Sequence, residues 1–178
     1  VTGAVFALEV QRVGRIHHEA IVPAFVASIV GDAVVRALGV HHTSFPALPS
    51  FAWSASIAWQ LVVLGIVSGL VASSFVFLTH TVRETMKRTV AWYPARPLIG
   101  GIVVAALILV FGWRDYSGLS VHLASNAFAG STEGDFWVKL LLTALTIGTG
   151  FVGGEFIPLF VTGALLGATF GSVLGLSI

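Results

Sequence analysis

Long apolar runs alternate with short polar clusters along this chain, and the charges mark where one run stops and the next begins. Between Arg36 and Arg83 there is no Asp, Glu, Lys or Arg. Within that interval Ile57 to Leu78 is interrupted only by small or weakly polar residues and Gln60, which predicts a membrane-spanning helix. Pro97 to Trp113, opened by a proline and carrying Gly100-Gly101, predicts a second span, and Ala20 to Leu38 a third. The third holds Asp32 and Arg36, four apart on one helical face, where they form a solvated pair near the interface or serve an ion pathway. Phe136 to Thr149 is short for a crossing at about 1.5 Å per residue. Leu159 to Ile178 follows almost at once, so the two predict a broken pair of helices meeting inside the membrane.

Composition agrees with that pattern. Hydrophobic residues make up 56% of the chain, charged residues 10%, and mean hydropathy is +0.96, far from the roughly 25% charged content of a soluble domain. The expectation is an all-α, polytopic integral membrane bundle. A net charge of +1 with scattered basic residues argues against a nucleic-acid partner, and the absence of cysteine excludes disulfides, thiolate metal sites and cysteine nucleophiles. Val1 to Phe6 has no initiator Met and no basic n-region, and it reads like the inside of an element, so a fragment of a longer protein is expected. The stretch His80 to Arg96 carries Arg83, Lys87, Arg88 and Arg96 against Glu84, which predicts a cytoplasmic loop. Arg114 to Asp135, with Asp115, Glu133 and Asp135, falls outside, as does the turn-rich, uncharged Gly39 to Ser54; Gln11 to Glu19 falls inside.

The break between the two short apolar runs carries the candidate chemistry. Gly153-Gly154-Glu155-Phe156-Ile157-Pro158 opens the last run, with two glycines that let the backbone approach a ligand and a proline whose missing N–H costs nothing in a first helical turn. The unpaired N–H groups and positive dipole end of a helix starting here can hold a dehydrated anion near Gly153, Gly154, Glu155, Phe156 and Ile157. A carboxylate at membrane depth costs about 2.5–3.5 kcal/mol on insertion scales. Glu155 is therefore a proton-coupling candidate, taking up a proton as the anion arrives; the competing reading is a cap on its own helix start. Gly163, Gly167, Gly171 and Gly175 recur every fourth residue and predict a close helix-packing face; Gly65, Gly69 and Ser73 repeat the spacing, so the two faces are candidates to meet.

The run Ile147-Gly148-Thr149-Gly150-Phe151-Val152-Gly153-Gly154-Glu155-Phe156-Ile157-Pro158-Leu159-Phe160, continuing with Gly163-Ala164 and Gly167, resembles the G-G-x-F-x-P segment of the CLC chloride channels and anion/proton antiporters. Val5-Phe6-Ala7-Leu8-Glu9-Val10 is similar to that family's F-x-x-E element, and His18 to Leu38, the long span and the start at Pro97 follow in its order. The resemblance implies part of an inverted-repeat membrane fold, with residues 1–38 ending a first repeat and 53–178 forming most of a second. It implies transport of chloride or fluoride as a channel or proton-coupled antiporter, in a homodimer with one pore per subunit, in a plasma or inner membrane and with no cofactor. The anion would be coordinated by the N–H groups of Glu155 and Phe156.

A Glu directly after the paired glycines is similar to the fluoride-transporting branch, whereas Phe156-Ile157 is closer to the chloride-type pattern. The residue after Glu9, where antiporters often carry a second Glu as proton relay, is Val10, which favours a structural Glu9. The family's G-S-G-I-P and G-x-E-G-P segments and its anion-facing tyrosine have no counterpart; Asp135 stands where proline should follow Glu133-Gly134, and neither Tyr93 nor Tyr116 is in the tyrosine's place. Transport by this chain alone is not expected. An enzyme is disfavoured too. His17-His18-Glu19 and His41-His42 lack the one-face spacing of a zinc motif, and there is no G-x-S-x-G elbow. A non-transporting scaffold and a transporter of another anion, such as a carboxylate, are the remaining alternatives.

Overall fold

The computed structural model describes residues 21–40, 54–131 and 134–175, and divides into two compact units, 1–44 and 45–178. Glu9, Val10, Arg12, the histidine pairs, Glu133 and the end of the predicted last span lie outside the described residues. Among the described residues the regular structure is six α-helices and one short 3₁₀ turn, with no strand.

The first unit contributes α1 (Ile21–Ala37), whose residues are all exposed or half-exposed. It ends in a glycine-capped turn: Gly39 takes φ +72° while Val40 N–H donates to Val35 O at 3.2 Å and Gly39 N–H to Arg36 O at 3.0 Å. Arg36 Nε donates to Asp32 Oδ2 at 2.9 Å with both side chains largely exposed, which fits the solvated pair.

The second unit begins with α2 (Ala55–Thr89), capped by Ser54, whose hydroxyl accepts from Ile57 N–H at 3.3 Å. At 35 residues it is about 52 Å long, well beyond a hydrocarbon core of roughly 30 Å. The sequence stretch read as a loop from His80 is therefore helical to Thr89. Arg83, Glu84, Lys87 and Arg88 ride on its end, and Lys87 Nζ bonds Glu84 Oε1 at 2.8 Å. The physical reason is that charges end an apolar run but not a helix: Lys, Arg and Glu are good helix formers once outside the lipid. Next come α3 (Ala95–Phe111), a 3₁₀ turn at Arg114–Tyr116, α4 (Val121–Phe128), α5 (Phe136–Gly148) and α6 (Phe156–Val173). The helices α2 and α6 are long and apolar enough to cross a membrane; α3 and α5 are shorter apolar helices.

The helix α4 lies inside the stretch read as an outer loop. It forms because Leu123, Ala124 and Ala127 share one face and are buried against α6. The core joins them to Val71 and Phe75 of α2, Phe136, Leu140 and Ala144 of α5, and Val161, Leu165 and Leu166 of α6. The rest of α2 turns Val62, Ile66, Leu70 and Phe77 outward. An apolar exterior of that extent suits lipid or further protein and not water.

Among the described residues, Gly148 marks a close approach between helices. A Cβ on Gly148 would sit 2.8 Å from Val82 Cβ and 3.0 Å from the Thr79 carbonyl, so α5 reaches α2 at a point that only hydrogen can occupy. A Cβ on Gly163, Gly167, Gly65 or Gly69 would meet nothing within 4 Å among the described residues, so the two stripes do not meet each other. Gly171 is buried, while Gly175 lies beyond the end of α6 at φ +71° and serves as its terminating residue. Periodicity registers where small residues recur, not which of them a neighbour approaches. Gly148→Val is expected to destabilise the full-length parent by about 1–3 kcal/mol through overpacking, read as an earlier thermal transition in detergent by tryptophan fluorescence; Gly65→Ala should leave that transition in place or raise it.

Candidate functional site

The connection between α5 and α6 is built by its backbone bonds before any side chain acts. Thr149 N–H donates to Leu145 O at 3.0 Å, Gly150 N–H to Ile147 O at 3.1 Å and Phe151 N–H to Thr146 O at 3.3 Å. That is the double bond pattern of a glycine-terminated helix, with Gly150 at φ +104°. The Thr149 hydroxyl adds bonds to Leu145 O and Thr146 O at 2.9 and 3.1 Å, so the last carbonyls of α5 are satisfied locally. The turn is then seated on α3: the Thr149 side chain lies directly on Gly100, and a Cβ on Gly101 would be 3.3 Å from the Phe151 ring.

Past Phe151 the chain runs without helical bonds through Val152, Gly153 and Gly154 to Glu155, the residue before α6. The ladder of α6 begins with Leu159 N–H donating to Glu155 O at 3.0 Å, so the N–H groups ahead of Leu159 lie outside it, and Pro158 falls in this first turn as expected. Neither Gly153 nor Gly154 has positive φ; that demand falls on Gly150. A Cβ on either would meet nothing within 4 Å. Glu155 is exposed and its side chain makes no capping hydrogen bond.

Beside this segment is a cavity of about 280 Å³. Gly153, Gly154 and Pro158 line one side, Lys139, Thr143 and Thr146 of α5 another, with Val104 and Ile108 of α3 and Tyr116 to Gly118 completing the wall. Of the residues predicted for anion binding, Gly153 and Gly154 face it; Glu155, Phe156 and Ile157 do not line it and are exposed.

Lys139 is the side chain that sequence reasoning passed over. It is 2% exposed and is the largest fully buried side chain among the described residues. Its ammonium donates to Gly118 O at 2.6 Å, Ser120 Oγ at 2.9 Å and Tyr116 O at 3.1 Å, which uses all three of its protons. The Tyr116 hydroxyl accepts from Asp135 N–H at 2.7 Å, a second tie between the start of α5 and the same segment. Ser120 is held at φ +54°, the one non-glycine residue with positive φ among the described residues. The signal was present in the sequence: a lone cation in an otherwise uncharged apolar run is a functional candidate by default. Among the described residues no group of three or more His, Cys, Asp or Glu could hold a metal ion.

A sequence model described as voltage gated chloride channel matches residues 1–178, the whole chain. The chain is 35% identical over 186 aligned positions to a protein of Pseudomonas syringae pv. tomato named chloride/fluoride channel protein, covering 99% of this chain and 40% of that one. It is 33% identical to a solved structure titled a CLC-type fluoride/proton antiporter, with a TM-score of 0.81, over 97% of this chain and 44% of that one. The chain thus spans about two fifths of the length of these relatives. Gly150→Val is expected to loosen the turn and cost about 1–3 kcal/mol, since φ +104° is strained for any side chain; SDS titration of the full-length parent followed by circular dichroism should show an earlier midpoint.

Proposed function

The chain belongs to the voltage-gated chloride channel family, and on that premise we propose that it forms part of a membrane domain that moves a small inorganic anion past the Gly153-Gly154 turn. The observation that carries this reading is the unexplained pair of glycines. Neither positive φ nor a crowding neighbour among the described residues requires them, yet they line a cavity at the start of α6. Close approach of a ligand to bare backbone is a use of two adjacent glycines that needs neither, and the first-turn N–H groups with the positive end of the helix dipole give an anion a reason to come.

Fluoride is the anion we favour. Glu155 directly follows the paired glycines, and the names of the two relatives at 33–35% identity described above include fluoride. Glu155 carries no hydrogen bond that fixes it as a cap, which leaves its carboxyl available to exchange a proton as the anion passes. Within the longer parent, residues 1–38 would close a first repeat and 53–178 supply most of a second; the parent would be multi-pass, in a plasma or inner membrane, and paired as a homodimer with one pore per subunit. Transport needs no cofactor in this scheme.

Efflux from liposomes holding the full-length parent, with fluoride and chloride compared and pH recorded, tests the reading. Fluoride efflux well above chloride, with proton movement lost in Glu155→Gln, is the expected result. Equal or faster chloride efflux, unchanged in that variant, would make Glu155 a local structural residue in a chloride transporter. Gly154→Ala has open space for its methyl group, so it should fold as the parent does while lowering flux by about tenfold, the effect of moving an ion off its donors. A properly folded Gly154→Ala with full flux would remove the turn from the ion path.

A further inference from the structure

The outward face of α2 changes character at one point along its length. At steps of three or four residues Ile66, Leu70, Ser73 and Phe77 share one side of the helix, and the same side continues through His80 and Glu84 to Arg88. Leu70 is 64% and Phe77 73% exposed, and Arg83, Lys87 and Arg88 are exposed just beyond them. Three cations stand there against one carboxylate, Glu84, which is bonded to Lys87 at 2.8 Å, so the cluster keeps a positive surplus. Trp92 and Tyr93, exposed in the turn that follows, carry the amphipathic rings that gather at a membrane–water interface.

Below this basic end, α2 and α5 enclose an open apolar groove of about 650 Å³, walled by Leu70, Phe77, Leu78, Trp137 and Leu141. It shares no residue with the cavity beside Gly153 and Gly154. Phe77 and Arg88 lie about 16 Å apart along the axis at 1.5 Å per residue, close to the half-thickness of roughly 15 Å of a hydrocarbon core. A headgroup at Arg88 therefore lets an acyl chain of one leaflet's depth reach the groove. A second helix is the poorer fit, because helices that associate in lipid meet through small residues and interhelical hydrogen bonds. Here the walls are mostly large, and the hydroxyls of Ser73 and Ser74, which also line the groove, return to the Gly69 and Leu70 carbonyls.

We propose that this face of α2 holds an anionic phospholipid, with its headgroup phosphate on Lys87 and Arg88 and one acyl chain in the groove between α2 and α5. Charge selects the headgroup, since basic side chains at a membrane surface draw anionic lipids and gain little from zwitterionic ones. Lipid occupancy of this face does not depend on which ion the parent moves.

Native mass spectrometry of the full-length parent in detergent tests this, with phosphatidylglycerol and phosphatidylcholine of equal chain length titrated separately. Phosphatidylglycerol is expected to bind about tenfold more tightly, and Lys87→Gln with Arg88→Gln should remove that preference while leaving phosphatidylcholine binding unchanged. A six-carbon phosphatidylglycerol, too short to reach Phe77, should bind at least about tenfold more weakly than an eighteen-carbon one. Equal binding of the two headgroups would overturn the proposal. So would a double variant that elutes and melts like the parent and keeps the preference. Equal binding of the short and long chains would mean that the rest of the parent covers the groove, and release of the lipid by millimolar inorganic phosphate would mean a site for the free anion; either result overturns the lipid assignment.

Discussion

A polypeptide that stops being helical inside an apolar bundle must settle every exposed carbonyl and N–H without help from water, and the rest of this site depends on how that is done between α5 and α6. On the carbonyl side, Leu145, Thr146 and Ile147 are satisfied within the chain. Gly150 bends the backbone, Thr149, Gly150 and Phe151 return their N–H groups to α5, and the Thr149 hydroxyl adds a second bond to two of the same carbonyls. The N–H side is treated differently. Glu155 lends no side-chain cap to α6, so the donors at the start of that helix are kept for something other than Glu155's carboxylate. The asymmetry gives the break a polarity, satisfied where it is negative and open where it is positive.

Packing holds that break in place. The Gly100-Gly101 pair on α3 receives Thr149 and Phe151, and Gly148 lets the end of α5 come down onto Val82 and the Thr79 carbonyl of α2. Three glycines thus fix the turn from two sides, and removing their hydrogen-only surface at any of them would move the connection, not merely the side chain concerned. The glycines at 163 and 167 make no such contact among the described residues. In a chain that spans two fifths of its relatives' length, a close-packing surface facing outward is what a segment of a larger bundle would present.

Lys139 links the turn to the far wall of the cavity. Its bonds reach across from α5 to the 3₁₀ turn and the segment after it, including the hydroxyl of Ser120, whose left-handed φ is uncommon for an L residue. The wall and the glycine turn are therefore set by the same helix, α5, at its two ends.

The sequence by itself determined the helical membrane architecture, the position of the break and the family. Runs of apolar residues long enough to cross lipid leave few alternatives to helices, and the glycine-rich segment ahead of Pro158 has few uses other than a close approach to backbone. It also located α1, α2, α3, α5 and α6, though with the end of α2 misplaced, because the charges from His80 to Thr89 ride on a helix and not on a loop. What only the tertiary structure decided was which glycine does what and which charge matters. Gly150 and not Gly153 or Gly154 bears the positive φ, Gly148 and not Gly163 meets a neighbour, and α4 became a helix because α6 covered its apolar face. Lys139 became significant when folding brought Tyr116, Gly118 and Ser120, some twenty residues away, within reach of its ammonium. Periodicity and composition are properties of neighbours along the chain, whereas steric need and charge compensation depend on neighbours in space, and those are fixed only when the helices pack.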